Sequence, residues 1–195
     1  MQAERAMQVA PVHASAVHGL SMRFPFYAPA VRLCARWVHA HLFSDVLAHE
    51  AIELIVASLF AAPAPFAVPT SALAAFVRFL HLLATFPWQD QPLVVDLDDA
   101  MTPAQRQAAQ AAFKQLRATA GGAADEARAL VLPTAYDASG TVWTARQPSV
   151  LMRARLVRYA KAALDTLQAR SLDPSFVPAV RQRDPKPGWF LWGPR

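Results

Sequence analysis

Ser71-Ala-Leu-Ala-Ala-Phe76-Val-Arg-Phe-Leu-His81-Leu-Leu-Ala-Thr85-Phe-Pro-Trp88-Gln-Asp-Gln-Pro92-Leu-Val-Val-Asp96 is the stretch on which the fold turns. Leu73, Phe76, Val77, Phe79, Leu80, Leu82, Leu83 and Phe86 are spaced so densely that a helix here is apolar on nearly every side. Arg78, His81 and Thr85, three and four apart, give it one narrow polar line. Such a helix belongs in a core. Pro87 cannot continue it and disfavours helical geometry at Phe86, and Pro92 starts the extended run Leu93-Val-Val95. The pattern predicts a helix, a corner at Trp88 and a short strand.

Upstream, Pro29 fits the first turn of a helix reaching to about Phe43, with Val31, Cys34, Val38 and Leu42 on one face, widened by Leu33 and Trp37. Arg32, Arg36 and His39 lie on another. Ser44 or Asp45 is the expected cap of the next helix, in which Val46, Leu47, Ile52, Leu54, Ile55, Val56, Leu59 and Phe60 are apolar. His49, Glu50 and Glu53 make its wet stripe, and Pro63 stops it. Residues 1–26, alanine-rich with scattered histidines, read as a partly ordered lead-in.

Downstream, Thr102-Pro-Ala-Gln105 has the composition of a capping box and opens a helix to about Thr119, ended by Gly121-Gly122. Ala129-Leu-Val-Leu132 before Pro133 reads as a second short strand, and Thr141-Val-Trp143 as a third extended piece. A last long helix over 149–170 is expected to turn Leu151, Leu156, Tyr159, Ala160, Ala163, Leu164 and Leu167 inward and Arg158, Lys161, Asp165 and Gln168 outward. The Pro/Arg-rich tail, 171–195, reads as extended and ends on Trp189-Phe-Leu-Trp192 and three further residues. The class is therefore α+β, predominantly helical with a few short strands, with one domain at 27–170.

The 195 residues, 54% of them hydrophobic, suffice for one sizeable core, because a chain of this length buries roughly 70% of its unfolded surface. Cys34 is the sole cysteine, which excludes an intrachain disulfide and fits a structural thiol in a reducing compartment. The net charge of +5 is carried mostly by arginine, with lysine only at 114, 161 and 186, and it favours an anionic partner such as RNA. Glu4, Arg5, Pro11, His13 and His18 interrupt any secretory signal in the first twenty residues. Glu53, Pro63 and Pro65 break the most apolar region, 52–68, so no membrane span is expected.

Asp96-Leu-Asp98-Asp99 is the most enzyme-like feature, since carboxylates one residue apart at a strand end can hold a divalent metal and triphosphate oxygens. The phosphate-holding turn and third carboxylate of a nucleotidyltransferase are not visible, and a solvated loop explains the residues equally. His39, His41 and His49 diverge too far for a metal set, and Ser139 and Ser149 lack a nucleophile-elbow context. No catalytic, cofactor-binding or metal-binding residue is assigned. Arg32, Arg36, Arg153, Arg155, Arg158, Lys161, Arg181 and Arg183 are the candidate RNA or partner contacts, with Trp143, Tyr136 or Trp189 available to stack on bases. The alternative is a solvated arginine-rich face.

Several blocks, taken in order, carry a family resemblance: Val31-Arg-Leu-Cys-Ala-Arg-Trp37, Glu53-Leu-Ile-Val-Ala-Ser-Leu-Phe60 with Pro63 and Pro65-Phe66, Phe76 to Trp88, Pro92-Leu-Val-Val-Asp96, Leu130-Val-Leu-Pro-Thr134 and Val142-Trp-Thr144. Over about residues 20–170 the chain resembles the nucleolar RNA-associated protein (Nrap) family. More distantly it is similar to the helical central domain of poly(A) polymerases and oligoadenylate synthetases.

The resemblance implies the fifth, poly(A)-polymerase-like module of a longer chain, flanked there by nucleotidyltransferase-like domains. It further implies a non-catalytic scaffold of the small-subunit processome, located in the nucleus and nucleolus, whose partners are pre-ribosomal RNA and processome proteins. In true poly(A) polymerases this module supplies a lysine two residues before the helix tryptophan and a tyrosine seven after it. Here those positions are Ala35 and Ser44, so the ammonium and phenol contacts to a nucleotide are missing. Residual nucleotide binding, or a helical protein-interaction adaptor without RNA, are the alternatives.

Overall fold

The computed structural model describes residues 2–99, 101–119, 129–144 and 148–171. Six helices follow one another: α1 (Gln2–Arg23), α2 (Tyr27–Ala40), α3 (His49–Ala61), α4 (Ala72–Thr85), α5 (Pro103–Thr119) and α6 (Val150–Ser171). The described chain is thus predominantly helical. None of these helices is long and apolar enough to cross a membrane.

α4 begins where Ser71 Oγ accepts the Ala74 N–H at 3.1 Å, satisfying one of the orphan donors of the first turn. Ala75, Phe76, Phe79, Leu80 and Leu83 are buried and face α2, α3 and α6. Leu73 and Val77, expected to complete the apolar surround, instead join His81 and Thr85 in an exposed row at intervals of four. The helix stops as the prolines require. Phe86 is extended, and the buried Trp88 folds back so that its Nε1–H donates to Leu83 O at 3.2 Å.

α2, α3 and α4 pack against one another, α6 lies along α4, and α1 crosses α2 and α3. Residues 2–23 are therefore a docked helix rather than a partly ordered lead-in; Leu20 and His13 are its buried anchors. α2 ends at Ala40, and Leu42, expected inward, has a φ of 59° and is 87% exposed. The N–H groups of Val46 and Leu47 both return to Phe43 O, a turn that buries all three side chains. Because that turn occupies 43–47, α3 starts at His49 behind Ala48, and neither Ser44 nor Asp45 caps it.

Two of the three expected extended pieces are present, as paired segments without regular strand, whereas the third, at Thr141–Trp143, is a turn in which Thr144 N–H donates to Thr141 O at 3.3 Å. Leu93 and Val95 donate to Val131 O and Pro133 O at 3.0 and 2.8 Å, in parallel register. Pro133 has no N–H with which to return a bond between them, so no regular strand forms among the described residues. Leu132 donates to Gly140 O at 2.8 Å, and Gly140, with φ of 62°, leaves no room for a side chain: a Cβ would lie 2.5 Å from Pro133 N.

The capping box of α5 is formed in both directions, Gln105 N–H to Thr102 Oγ1 at 3.2 Å and Thr102 N–H to Gln105 Oε1 at 2.8 Å. α6 opens with Ser149 Oγ accepting from Met152 N–H at 3.3 Å. Its buried residues are Arg153, Leu156 and Ala160, whereas Leu151, placed inward by sequence, is 72% exposed, and Tyr159 also reaches solvent. The inward row of α6 therefore starts with a cation. Gly121-Gly122 and the tail beyond 171 lie outside the described residues.

Candidate RNA and partner interface

The outer face of α6 gathers three of the expected basic residues, Arg155, Arg158 and Lys161, all exposed. Arg155 is held in place by aromatic rings, its guanidinium 5.5 Å from the Tyr159 centroid and 5.7 Å from that of Phe43. Tyr159 in turn stands edge-on to His41 and Phe43, at 5.3 and 5.4 Å. His41 is fixed against Trp37, donating from Nδ1 to Trp37 O at 2.8 Å. A groove of about 630 Å³ runs beside Leu151, Arg155, Arg158 and Tyr159. Such a surface can pair with phosphates and offer a ring edge to a base or an apolar side chain.

Arg32 and Arg36 are exposed on α2, but Arg32 sits about 13 Å of helical rise before the His41 corner and borders a different cleft. Arg153 points into the domain and leaves the exposed set, because its position shares the inward row of Leu156 and Ala160. Arg181, Arg183 and Trp189 lie outside the described residues.

The second cleft, about 560 Å³, is organised by a polar cluster that the sequence did not announce. His13, 4% exposed, has Nε2 2.8 Å from Glu53 Oε2 and Nδ1 2.8 Å from the Tyr136 hydroxyl. A neutral ring satisfies both by donating to the carboxylate and accepting from the phenol. Tyr27 donates its hydroxyl to Glu53 O at 3.1 Å, and His49 approaches the other carboxylate oxygen at 3.6 Å. Glu53 is therefore a hub rather than part of a wet stripe. Burial, with the Glu53 charge adding to it, pushes the Tyr27 and Tyr136 hydroxyls up, so both remain protonated donors. Tyr136 and Trp143, considered as base-stacking residues, are packed on His13, with the Trp143 ring 5.4 Å away.

The three aspartates are divided by geometry. Asp96 is mostly buried, accepts the Met101 N–H and pairs with Arg106 at 2.7 Å, which clamps the loop into α5. Asp99 is exposed with φ of 53° and only reaches Arg106 at 3.4 Å, while Asp98 borders α1 near Pro11 and Ser15. Ala35 is buried in the core, and Ser44 is hydrogen-bonded with His39 Nδ1 at 2.6 Å. Cys34 is wholly buried, and burial pushes its thiol up, as a structural cysteine requires. Among the described residues no group of three or more His, Cys, Asp or Glu is placed to hold a metal ion.

The described residues form a helical bundle on an apolar spine, with basic side chains exposed on its outer helices. Residues 24–183 match the family described as Nrap protein PAP/OAS1-like domain 5, and the chain belongs to that family. It is 34% identical over 174 residues to Nucleolar protein 6 of Xenopus laevis and, over the same length, 34% identical to Nucleolar protein 6 of Homo sapiens. Each of these alignments covers 89% of the chain and 15% of the relative. U3 small nucleolar RNA-associated protein 22 of Schizosaccharomyces pombe is 29% identical over 164 residues, 84% of the chain and 15% of that protein. The chain thus spans about a seventh of the length of these relatives. Their names place them at the nucleolus, in agreement with the localisation that the resemblance implied.

Proposed function

We infer that this domain is a non-catalytic scaffold module in pre-rRNA processing and small ribosomal subunit biogenesis, touching pre-ribosomal RNA and processome proteins through its outer helices. The observation that carries this reading is the ring-buttressed Arg155 beside Arg158 on α6, a positioned cation next to an accessible aromatic. The names of the relatives support the setting, since one is associated with a small nucleolar RNA. The working unit is residues 27–170, with the 1–26 segment before it and the Pro/Arg-rich residues 171–195 following, and we read the paired segments at 93–95 and 131–133 as its short strands. Buried Ala35 and occupied Ser44 argue against nucleotide capture, and the Asp96 clamp argues against a metal-dependent transferase.

The test is binding of a fluorescein-labelled 20-nucleotide single-stranded RNA at 50 and 200 mM salt. Affinity should drop steeply with salt, and removing Arg155 and Arg158 together should flatten the log–log slope by about 1.4. Equal affinity at both salts removes the RNA contact. Magnesium-dependent nucleotide incorporation that vanishes in Asp96→Asn would establish an enzyme instead. The exposed Leu151 favours one further reading, a protein partner on the same groove, which crosslinks to protein without RNA would support.

A further inference from the structure

The turn that closes α2 is a Schellman motif: Phe43 N–H donates to Val38 O and Leu42 N–H to His39 O, both at 3.0 Å, and the side chains of Phe43 and Val38 are buried. In that motif the residue after the helix end takes the left-handed conformation, a position glycine ordinarily fills. Here it is Leu42, with φ of 59°. A leucine strains the backbone there, because its Cβ crowds the following carbonyl. Burial does not offset the strain, since the side chain is 87% exposed.

Leu42 stands beside the groove of α6. Its chain neighbours His41 and Phe43 both set their rings edge-on to Tyr159, at 5.3 and 5.4 Å, and Tyr159 lines that groove of about 630 Å³. Leu151, 72% exposed, lines it as well, about 12 Å of helical rise before Tyr159. Between them on the same helix lie Arg155 and Arg158, and among the described residues neither has an ion-pair partner and no carboxylate lines the groove. The surface therefore combines two exposed leucines with two cations, and its strained leucine serves neither the local backbone nor the core.

We propose that this groove, with Leu42 at its Tyr159 end, docks an acidic, leucine-bearing segment of a protein partner. Aliphatic side chains of the segment cover Leu42 and Leu151, and its carboxylates meet Arg155 and Arg158. Each feature argues against a different occupant. RNA would use the arginines and Tyr159 but gain little from two leucines, because bases stack on aromatic rings and guanidinium planes. A neutral apolar segment would cover the leucines and leave both cations without a counter-charge. Residues 171–195 of the chain itself carry Arg181, Arg183, Lys186 and Arg195 against Asp173 and Asp184, the wrong sign for this groove. The proposal rests on the protein-partner part of the reading above, and it makes protein and RNA rivals for Arg155 and Arg158.

The experiment pans the whole 195-residue chain against a phage-displayed library of short segments tiled across nucleolar proteins, and measures the recovered peptides by fluorescence anisotropy. They should combine Asp or Glu with Leu, Ile or Phe, and Leu42→Asn should weaken them about tenfold. Arg155→Gln should weaken them about two- to fivefold, an effect that fades at high salt. Asparagine tolerates the left-handed conformation, so Leu42→Asn should melt no lower than the wild type and bind the 20-nucleotide RNA unchanged. Unlabelled peptide should displace that RNA. Failure to recover peptides that discriminate the wild type from Leu42→Asn overturns the docking site and leaves the RNA reading standing. RNA binding without salt dependence overturns the RNA reading and leaves the docking site standing. A Tm lowered by more than about 3 °C in Leu42→Asn shows that the leucine serves the fold, which overturns the premise. RNA affinity that falls in Leu42→Asn as far as peptide affinity assigns the groove to RNA instead. A wild-type dimer in sedimentation equilibrium that Leu42→Asn abolishes assigns it to a second copy of the chain. Peptide and RNA bound together without displacement overturn the pairing of carboxylates with Arg155 and Arg158.

Discussion

α4 and α6 lie against each other, yet they meet the core on different terms. α4 presents Ala75, Phe76, Phe79, Leu80 and Leu83, an apolar surface whose worth is area removed from water and close packing. α6 presents Arg153, Leu156 and Ala160, so one of its inward positions carries a cation. The first helix explains why the domain holds together. The second shows that a buried row can also carry a polar group, here one whose Nε has no hydrogen-bond partner among the described residues.

The contrast can be broken at three points. Leu83→Ala should destabilise the domain by about 2–5 kcal/mol in urea unfolding, since Leu83 is 1% exposed and its loss leaves a cavity. A loss below that range would mean that α4 is not the spine. Tyr159→Ala should cost about 0.5–1.5 kcal/mol, the worth of its edge contacts to His41 and Phe43, while weakening RNA binding by freeing Arg155. A large stability change without any effect on binding would place Tyr159 in the core, as its spacing alone predicts. Leu151→Gln should change stability by less than about 0.5 kcal/mol because the side chain is 72% exposed. A substantial loss there would restore the inward row that the sequence pattern proposes.

Legibility in the sequence followed the same division. Helices α4 and α5 were readable because their signals are local: the Ser71 cap, the Pro87 stop and the Thr102–Gln105 box each act within four residues. On α6, Leu156, Ala160, Ala163, Leu164 and Leu167 face the core as the spacing predicts, and only Leu151 and Tyr159 were misplaced, because an arginine on the buried row breaks the apolar periodicity there. The segments 93–95 and 129–132 were each anticipated as strands, but their pairing and the missing donor at Pro133 are visible only once the register is known. The His13, Glu53 and Tyr136 cluster could not be foreseen, since its members are 40 and 123 residues apart and no spacing rule connects them.

That same cluster sets an order of assembly. Contacts among α2, α3 and α4 join neighbours in sequence and can form early, whereas the His13–Tyr136 bond closes a span of 123 residues and must wait until both ends are in place. Docking of α1 is then a late event in folding and its release an early one in unfolding. Amide exchange should accordingly reach the backbone of α1 well before that of α4, and the cleft behind His13 would open to water while the apolar bundle is still intact.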